Sequence, residues 1–270
     1  MSSKGWMGVV LVLAVIVGGF YWYAQREAAR VAQMPVLAPP ELAAVDEANA
    51  AGHSAPTIAH PLPASVEPAA PMPSLRESDT AVRQALEPVL GKAPIESFLV
   101  PDQLVRRFVA TVNSLDEAPI PLERRAFRHV SGLVAVERRG DRYFLSPENG
   151  ARYDAWITWA TAVDTERLVD LYLRYYPLLQ AAYVELGYPD RYFNDRLIEV
   201  IDHLLETREI AGPIELVRPK VLYQFADPQL ERRSSGEKLL IRIGAEHATR
   251  VRGKLKAFRE ALLARAKASG

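Results

Sequence analysis

The chain of 270 residues contains no cysteine. That excludes disulfides, a thiolate nucleophile and cysteine-ligated zinc. It also suits an exported protein, which cannot then be trapped with wrong disulfides in an oxidising compartment. Net charge is lacking too: 33 Lys and Arg balance 33 Asp and Glu. No global field therefore argues for nucleic acid or for an acidic substrate. No segment repeats with a period of about 20–50 residues, which excludes a solenoid. There is no nucleotide-binding glycine loop, no Gly-x-Ser-x-Gly elbow and no paired-histidine zinc motif. His129, His203 and His247 are too scattered along the sequence to suggest a triad.

The strongest positive signal is N-terminal. The run "WMGVVLVLAVIVGGFYWY", residues 6–23, carries no charge and is bracketed by Lys4 and Arg26. A bilayer core needs about 20 apolar residues, so this run is long enough to span it. Trp6 opens it and Tyr21, Trp22 and Tyr23 close it, where an interfacial aromatic belt would lie. A cleaved signal peptide fits less well. Trp22 stands three residues before the nearby cleavage candidate after Ala24, where a small residue is wanted. From Val31 to Ser74 there is neither Lys nor Arg, and stretches such as "APTIAHPLPASVEPAAPMP" are rich in Ala and Pro. Such a composition buries too little apolar surface to fold by itself and reads as an extended spacer. The expected organisation is a short cytoplasmic tail (1–5), a transmembrane helix (6–24), a Pro/Ala-rich disordered linker (25–73) and a soluble helical domain (74–270). Lys4 on one side and Arg26 with Arg30 on the other leave the positive-inside count undecided. The spacer, which could hold a domain roughly 100 Å from a membrane at about 3.1 Å per residue, favours a bacterial inner-membrane anchor with the C-terminal domain in the periplasm.

The remainder has the size for one substantial core. A first helix should follow "ESD", capped by Ser78 or Asp79, with Val82, Leu86 and Val89 inward and Gly91 as its stop. In "VPDQLVRRFVATVNSL", Pro101 and Asp102 suit a first turn, and Leu104, Val105, Phe108 and Val112 form a stripe. "LVAVERRGDRYFL" reads as a hairpin turning at Arg139, Gly140 and Asp141. Ser146 with Pro147 starts another helical stretch. Asp164 caps a long helix whose face is Leu168, Leu171, Tyr175, Leu179, Ala182 and Leu186, with Pro177 expected to kink it and Gly187 to end it. "GPIELVRPKVLYQFADP" reads as edge-type strand, with helix as the alternative for residues 214–225. Two helices, "SSGEKLLIRIG" and "AEHATRVRGKLKAFREALLARAKA", close the chain. The fold class is mainly α (α+β), a helical domain with a small antiparallel sheet.

Four of these segments, "VPDQLVRRFVATV", "GYPDRYFNDRLIEVIDHLLE", "GPIELVRPKVLYQFADP" and "GEKLLIRIG", occur in that order. As a set they resemble the bacterial family catalogued as domain of unknown function 3014, over roughly residues 75 to 262. The resemblance implies an N-terminal membrane segment and a proline-rich spacer in Gram-negative envelopes. It implies no activity, cofactor or catalytic residues.

The richest candidate for chemistry is "YFNDRLIEVIDHLLE", residues 192–206. At 100° per residue, Leu197, Ile198, Val200, Ile201, Leu204 and Leu205 fill a broad apolar arc. Asp195, Glu199, Asp202 and Glu206 gather opposite, with His203 and Arg196 beside them. Metal sites and glycosidase pairs need groups converging from several elements, and neighbours on one helical face do not supply that. The face reads first as solvated, then as a contact surface for a partner or ligand, and only last as catalytic or metal-binding. Its like-charge pairs, Asp195–Glu199 and Asp202–Glu206, each cost about 0.2–0.5 kcal/mol. A cation within the domain or on a partner should compensate, and Arg250, Arg252, Lys254, Lys256 and Arg259 of the last helix are one source. That basic helix reads as a docked surface helix, or else as a contact for anionic lipid or an acidic partner. Tyr153, Trp156, Trp159, Tyr172, Tyr175, Tyr176 and Tyr183 recur at helical spacing and read as core. "GYPDRYFND" is instead a turn carrying aromatic and charged groups. The candidate binding residues are therefore Tyr188, Asp190, Arg191, Tyr192, Asn194, Asp195, Glu199, Asp202 and His203. No catalytic residue, metal site or cofactor is indicated. The expected partners are the membrane, through residues 6–24, and an envelope protein or cell-wall component, not nucleic acid. The leading expectation is a membrane-tethered envelope module that binds such a partner. The alternative is a hydrolase-like envelope enzyme whose carboxylates meet only in the fold.

Overall fold

The computed structural model of the chain describes residues 58–62, 72–117 and 121–268. The apolar run at 6–23 and most of the Pro/Ala-rich stretch lie outside these residues. Among the described residues no helix is long and apolar enough to cross a membrane.

Helix α1, Ser78–Leu90, buries Val82, Leu86 and Leu90, while Val89 is half-buried. It ends at Gly91, whose φ of 79° suits a residue without Cβ. A short α2, Lys92–Phe98, and α3, Leu104–Asn113, follow. Neither expected cap serves its own helix. Ser78 is the first helical residue, and its hydroxyl donates to the Leu75 carbonyl at 2.9 Å. The Asp79 carboxylate accepts the backbone N–H of Gln103 at 2.7 Å and of Leu104 at 2.8 Å. Asp79 thus caps α3 from another helix, and Pro101 and Asp102 stand before the first turn instead of in it. Gln103 holds φ 55°, unusual for a residue with a side chain, and the bond from its N–H to Asp79 helps to fix it there.

Strands β1, Val136–Arg139, and β2, Arg142–Leu145, form the expected hairpin. Arg139 pairs with Arg142 across a two-residue turn in which Gly140 has φ 62°. The stretch 214–225 is strand, in two short pieces: β3, Glu215–Val217, pairs antiparallel with β2, and β4, Gln224–Phe225, with β3. Pro219 falls in the connection between them, where its missing N–H costs no ladder bond. The sheet order is β1-β2-β3-β4. Leu216 and Phe225 meet Ile241 in a small core separate from the main one.

The main core is helical. Ser146 caps a 3-10 segment, Pro147–Tyr153, that leads into α4, Asp154–Ala160. Asp164 caps α5, Thr165–Glu185, by accepting from the Arg167 N–H at 3.0 Å. This helix is one continuous element through the exposed Pro177. Its buried face is broader than the spacing indicates: Val169, Tyr172, Leu173, Leu178 and Tyr183 join Leu168, Leu179 and Ala182. Leu171 and Tyr175 are only half-buried, and Leu186 is exposed. After α6, Phe193–Leu205, and the one-turn α7, Pro228–Glu231, a full capping box of Ser234 and Glu237 starts α8, Ser235–Arg242. The last helix, α9, Ala245–Ala268, buries Val251, Leu255, Phe258 and Leu262 against α5 and α6. Most of the aromatic stripe is core: Tyr153, Trp156, Trp159, Tyr172 and Tyr183 are buried, whereas Tyr175 and Tyr176 are half-buried. Trp156 and Trp159 pack on Phe98 at 4.2 and 4.6 Å, and the buried Trp159 indole N–H donates to the Leu90 carbonyl at 2.9 Å.

Candidate functional site

The turn between α5 and α6 is held in place by side chains of α5 and α3. Gln180, on α5, donates to the Arg191 carbonyl at 2.8 Å and accepts from the Phe193 N–H at 2.8 Å. Tyr188 stacks on the buried Tyr183, with ring centres 4.7 Å apart and 13° between planes. Its hydroxyl oxygen accepts from Asn113 on α3. Tyr192 precedes α6 without a side-chain cap, and Asp190 and Arg191 are exposed.

α6 presents its apolar arc inward as expected. Leu197, Ile198, Val200, Ile201 and Leu204 are buried, and Leu205 is half-buried. The polar face is divided into four parts. Near its start, Arg196 forms a hub whose side chain is only 13% exposed. Its two terminal nitrogens bind the Asp116 carboxylate at 2.7 and 2.6 Å, and Nε and Nη2 donate to the Asn113 side chain and carbonyl. Glu199 lies 3.5 Å from the same guanidinium. Burial works against the Arg196 charge, but the hydrogen bonds and charge of Asp116 outweigh it and hold the pKa above its ordinary value. Further along, Asp202 meets Arg259 of α9, with Oδ1 2.6 Å from Nε and Oδ2 accepting from Nη2 at 3.0 Å. Only the second contact has hydrogen-bond geometry. The compensating cations anticipated from the like-charge pairs are thus internal for Glu199 and Asp202.

The N-terminal end of the face holds something else. Both oxygens of Asp195 accept backbone N–H groups from the described piece of the Pro/Ala-rich stretch: Ala59 at 3.0 Å and His60 at 2.8 Å. Asn194, 1% exposed, donates to the His60 carbonyl at 2.8 Å. Its own Oδ1 accepts from the Tyr172 hydroxyl at 2.9 Å, which fixes the amide orientation. Burial, and then the neighbouring Tyr176 and Asp195, push the Tyr172 pKa well above its ordinary value, so that hydroxyl stays a donor. Leu62, two residues on, packs against the main core. His60 precedes a proline, which biases it toward extended backbone. Asn194 and Asp195 therefore grip a short peptide by its main chain.

The family described as protein of unknown function, DUF3014, matches residues 104–259, more than half of the chain. The chain belongs to this family. The matched part of this DUF3014 protein takes in Asn194, Asp195 and the Arg196 hub, while the gripped residues 59 and 60 lie before it. No curated protein and no solved structure matches it.

A serine–histidine contact lies at the C-terminal end of the α6 face of the DUF3014 domain. His203 Nε2 lies 2.9 Å from Ser234 Oγ, and Glu237 Oε2 lies 3.6 Å from that same nitrogen. In a triad the acid orients the other ring nitrogen. Ser234 Oγ is, moreover, already committed to the Glu237 N–H in the α8 capping box. The arrangement is a helix start with a histidine resting on it. His247 Nε2 pairs with Asp154 at 2.7 Å, far along the chain from either. No group of three or more His, Asp or Glu among the described residues could hold a metal ion. Of the nine candidates, the structure joins Asn194 and Asp195 in one grip, with Tyr188 supporting the turn beside it. Glu199, Asp202 and His203 make separate contacts, and Asp190 and Arg191 point no side chain into the grip's hydrogen bonds. Sequence reasoning missed Tyr172 and Gln180, which orient the site from inside an apparently ordinary helix face. The gripped segment "IAHPL" offers little signal: of its two large apolar residues only Leu62 packs against the core, while Ile58 is exposed.

Proposed function

We propose that this chain is a tethered binding module of the bacterial envelope. Residues 6–24 anchor it, the Pro/Ala-rich stretch spaces it, and the corner formed by the α5–α6 turn and the start of α6 receives an extended polypeptide. The observation that carries this reading is the three-bond grip of Asn194 and Asp195 on the backbone of residues 59 and 60. A grip on main-chain groups tolerates many sequences, and selectivity falls to the side chain that fills the position of Leu62. The energies support an exchangeable contact. Hydrogen bonds to a charged group contribute about 1.5–3 kcal/mol each, and a neutral one about 0.5–1.5 kcal/mol. Ordering a five-residue segment costs about 1–2 kcal/mol per residue. Gain and cost are of the same size, so a competing peptide can replace the segment. The hydrolase alternative gains nothing from His203 and Ser234, whose contact belongs to a helix cap.

The test uses the full chain in a mild detergent, with residues 58–62 replaced by Gly and Ser. A fluorescent peptide covering residues 54–65 should bind it saturably by anisotropy, bind the unaltered chain more weakly, and lose binding when Asp195→Ala is added. Equal binding with and without Asp195 would contradict the reading, as would no binding at all.

A further inference from the structure

Between the sheet and the helices lies a cavity of about 420 Å³, within the range of small-molecule sites. It is remote in the fold from the Asn194–Asp195 grip. Its walls are the end of β2, the loop after α6, the C-terminal end of α8 and the start of α9. It exists because the small sheet core around Leu216, Phe225 and Ile241 is separate from the main core. One wall is fixed by Gly150. A Cβ there would lie 2.9 Å from the Ile243 carbonyl oxygen, so the 3-10 segment crosses the end of α8 at a distance only glycine allows.

The lining has two chemical characters. Leu145, Ile210, Ile214 and Leu240 make one part apolar. The other part is cationic: Arg139, Arg208, Arg242 and Arg252 line the cavity against a single carboxylate, Glu209. Arg139 is neutralised by Glu137 at 2.7 Å, and the Arg242 guanidinium lies over the Phe225 ring at 4.9 Å. Arg252 is held by neutral oxygens only, the Thr207 carbonyl at 3.2 Å and the Thr249 hydroxyl at 3.4 Å, which leaves it further donors. Among the described residues no carboxylate lies within ion-pair distance of Arg208 or Arg252. Thr207, which also lines the cavity, is 6% exposed, and its hydroxyl has no hydrogen-bond partner. The first turn of the long helix α9 enters the wall at Ala245 and Ala248, and adds the positive end of its dipole.

We propose that this cavity binds a phosphate monoester with a small apolar body. Arg252 and Arg208 hold the phosphate, and Leu145, Ile210, Ile214 and Leu240 cover the body. Two guanidinium groups without carboxylate partners suit a dianion better than a carboxylate, because each can form paired N–H···O bonds to phosphate oxygens. The apolar wall distinguishes a phosphate ester from the free ion.

The test is calorimetric titration of the full chain in neutral-lipid nanodiscs with phenyl phosphate, benzoate and inorganic phosphate. Phenyl phosphate should bind saturably, and the other two at least about tenfold more weakly. Arg252→Gln should weaken phenyl phosphate at least about tenfold, a loss of the size expected for one charge-assisted pair. Arg252 also braces the Thr207 carbonyl, so the exposed Arg208→Gln serves as a second variant, expected to weaken binding several-fold with an unchanged melting temperature. Three results would overturn the proposal. They are no binding of phenyl phosphate, equal binding of inorganic phosphate, or affinity indifferent to both arginines. Tighter binding of benzoate would overturn the assignment to phosphate.

Discussion

Replacing Arg196 by Met keeps the side-chain stem and removes the cation on which the α5–α6 corner rests. The guanidinium is largely buried, and its partner Asp116 is 19% exposed. Asp116 follows the C-terminal end of α3, where the helix dipole disfavours a negative charge, so Arg196 neutralises it twice over. Removing one member of a fully buried pair costs about 3–5 kcal/mol, because the other is left uncompensated. Partial exposure of both groups lets water screen some of that. The Asn113 carbonyl also loses its bond from Nη2. The expected loss is about 2–4 kcal/mol. Urea unfolding with linear extrapolation measures it, at an unchanged m-value if the denatured state is unaffected. Arg196→Lys keeps the charge but not the paired geometry and should lose less, about 1–2 kcal/mol. The decisive comparison is the double variant with Asp116→Asn. Its loss should fall short of the sum of the two single losses by about 1–2 kcal/mol, since both break the same contact. Additive losses, or a loss below about 0.5 kcal/mol for Arg196→Met, would refute the hub.

Asp79→Ala removes the cap that α1 supplies to α3 and should cost about 1–2 kcal/mol in the same assay; a neutral result would show that Gln103 holds its turn unaided. Changing Glu199 and Asp202 together to Gln and Asn should destabilise by at most about 1 kcal/mol, and more at low salt, because Asp202 is paired with Arg259 at a partly exposed site. Stabilisation at low salt would mean that the face behaves as an unpaired acidic stripe. Alkaline unfolding follows from the tyrosines. Burial raises the pKa of Tyr153, Tyr172 and Tyr183, and pushes Tyr176 up to about 12. Their stabilising effect is complete below the unfolded value of about 10 and is lost as pH rises through the folded values. Burial lowers the pKa of Lys238 and Lys254 and brings Arg125 down to about 10, which opposes this trend. The tyrosines outnumber these groups above about pH 10.5, so stability should fall there and tyrosinate absorbance should rise together with unfolding. Ionisation of all the tyrosines well before unfolding would contradict the burial argument.

The elements legible in the sequence were those fixed by local chemistry. Asp164 caps α5 and Gly140 turns the hairpin, because each needs only its near neighbours in the chain. The α9 stripe of Val251, Leu255, Phe258 and Leu262 was equally plain from its period. Tertiary contacts overrode local signals elsewhere. Asp79 reads in the sequence as an N-cap for its own helix, yet it is the second residue inside that helix and its carboxylate reaches the backbone of residues more than twenty positions on. The face of α5 widened because both α3 and α9 pack against it, which no single stripe can express. Asn194 and Asp195 were recognisable as candidate polar groups of the "GYPDRYFND" stretch, although the turn ends at Tyr192 and the structure places both in the first turn of α6. What they grip was not, because a segment of five residues from a Pro/Ala-rich stretch carries no pattern that announces a docking partner. Most basic groups of α9 likewise lost their apparent freedom. Arg250 donates to the Thr161 hydroxyl, Lys254 to the Val163 carbonyl and Arg259 to Asp202, leaving Lys256 as an exposed surface pair with Glu260.

Amide hydrogen exchange at Ala59 and His60 in the intact chain tests the peptide grip most directly. If Asp195 holds both N–H groups, these two amides exchange more slowly than unstructured peptide amides of the same sequence. Asp195→Ala should return both to the unstructured rate while the amides of α6 keep their protection. Unstructured rates in the unaltered chain, or equal protection after Asp195→Ala, would contradict the account.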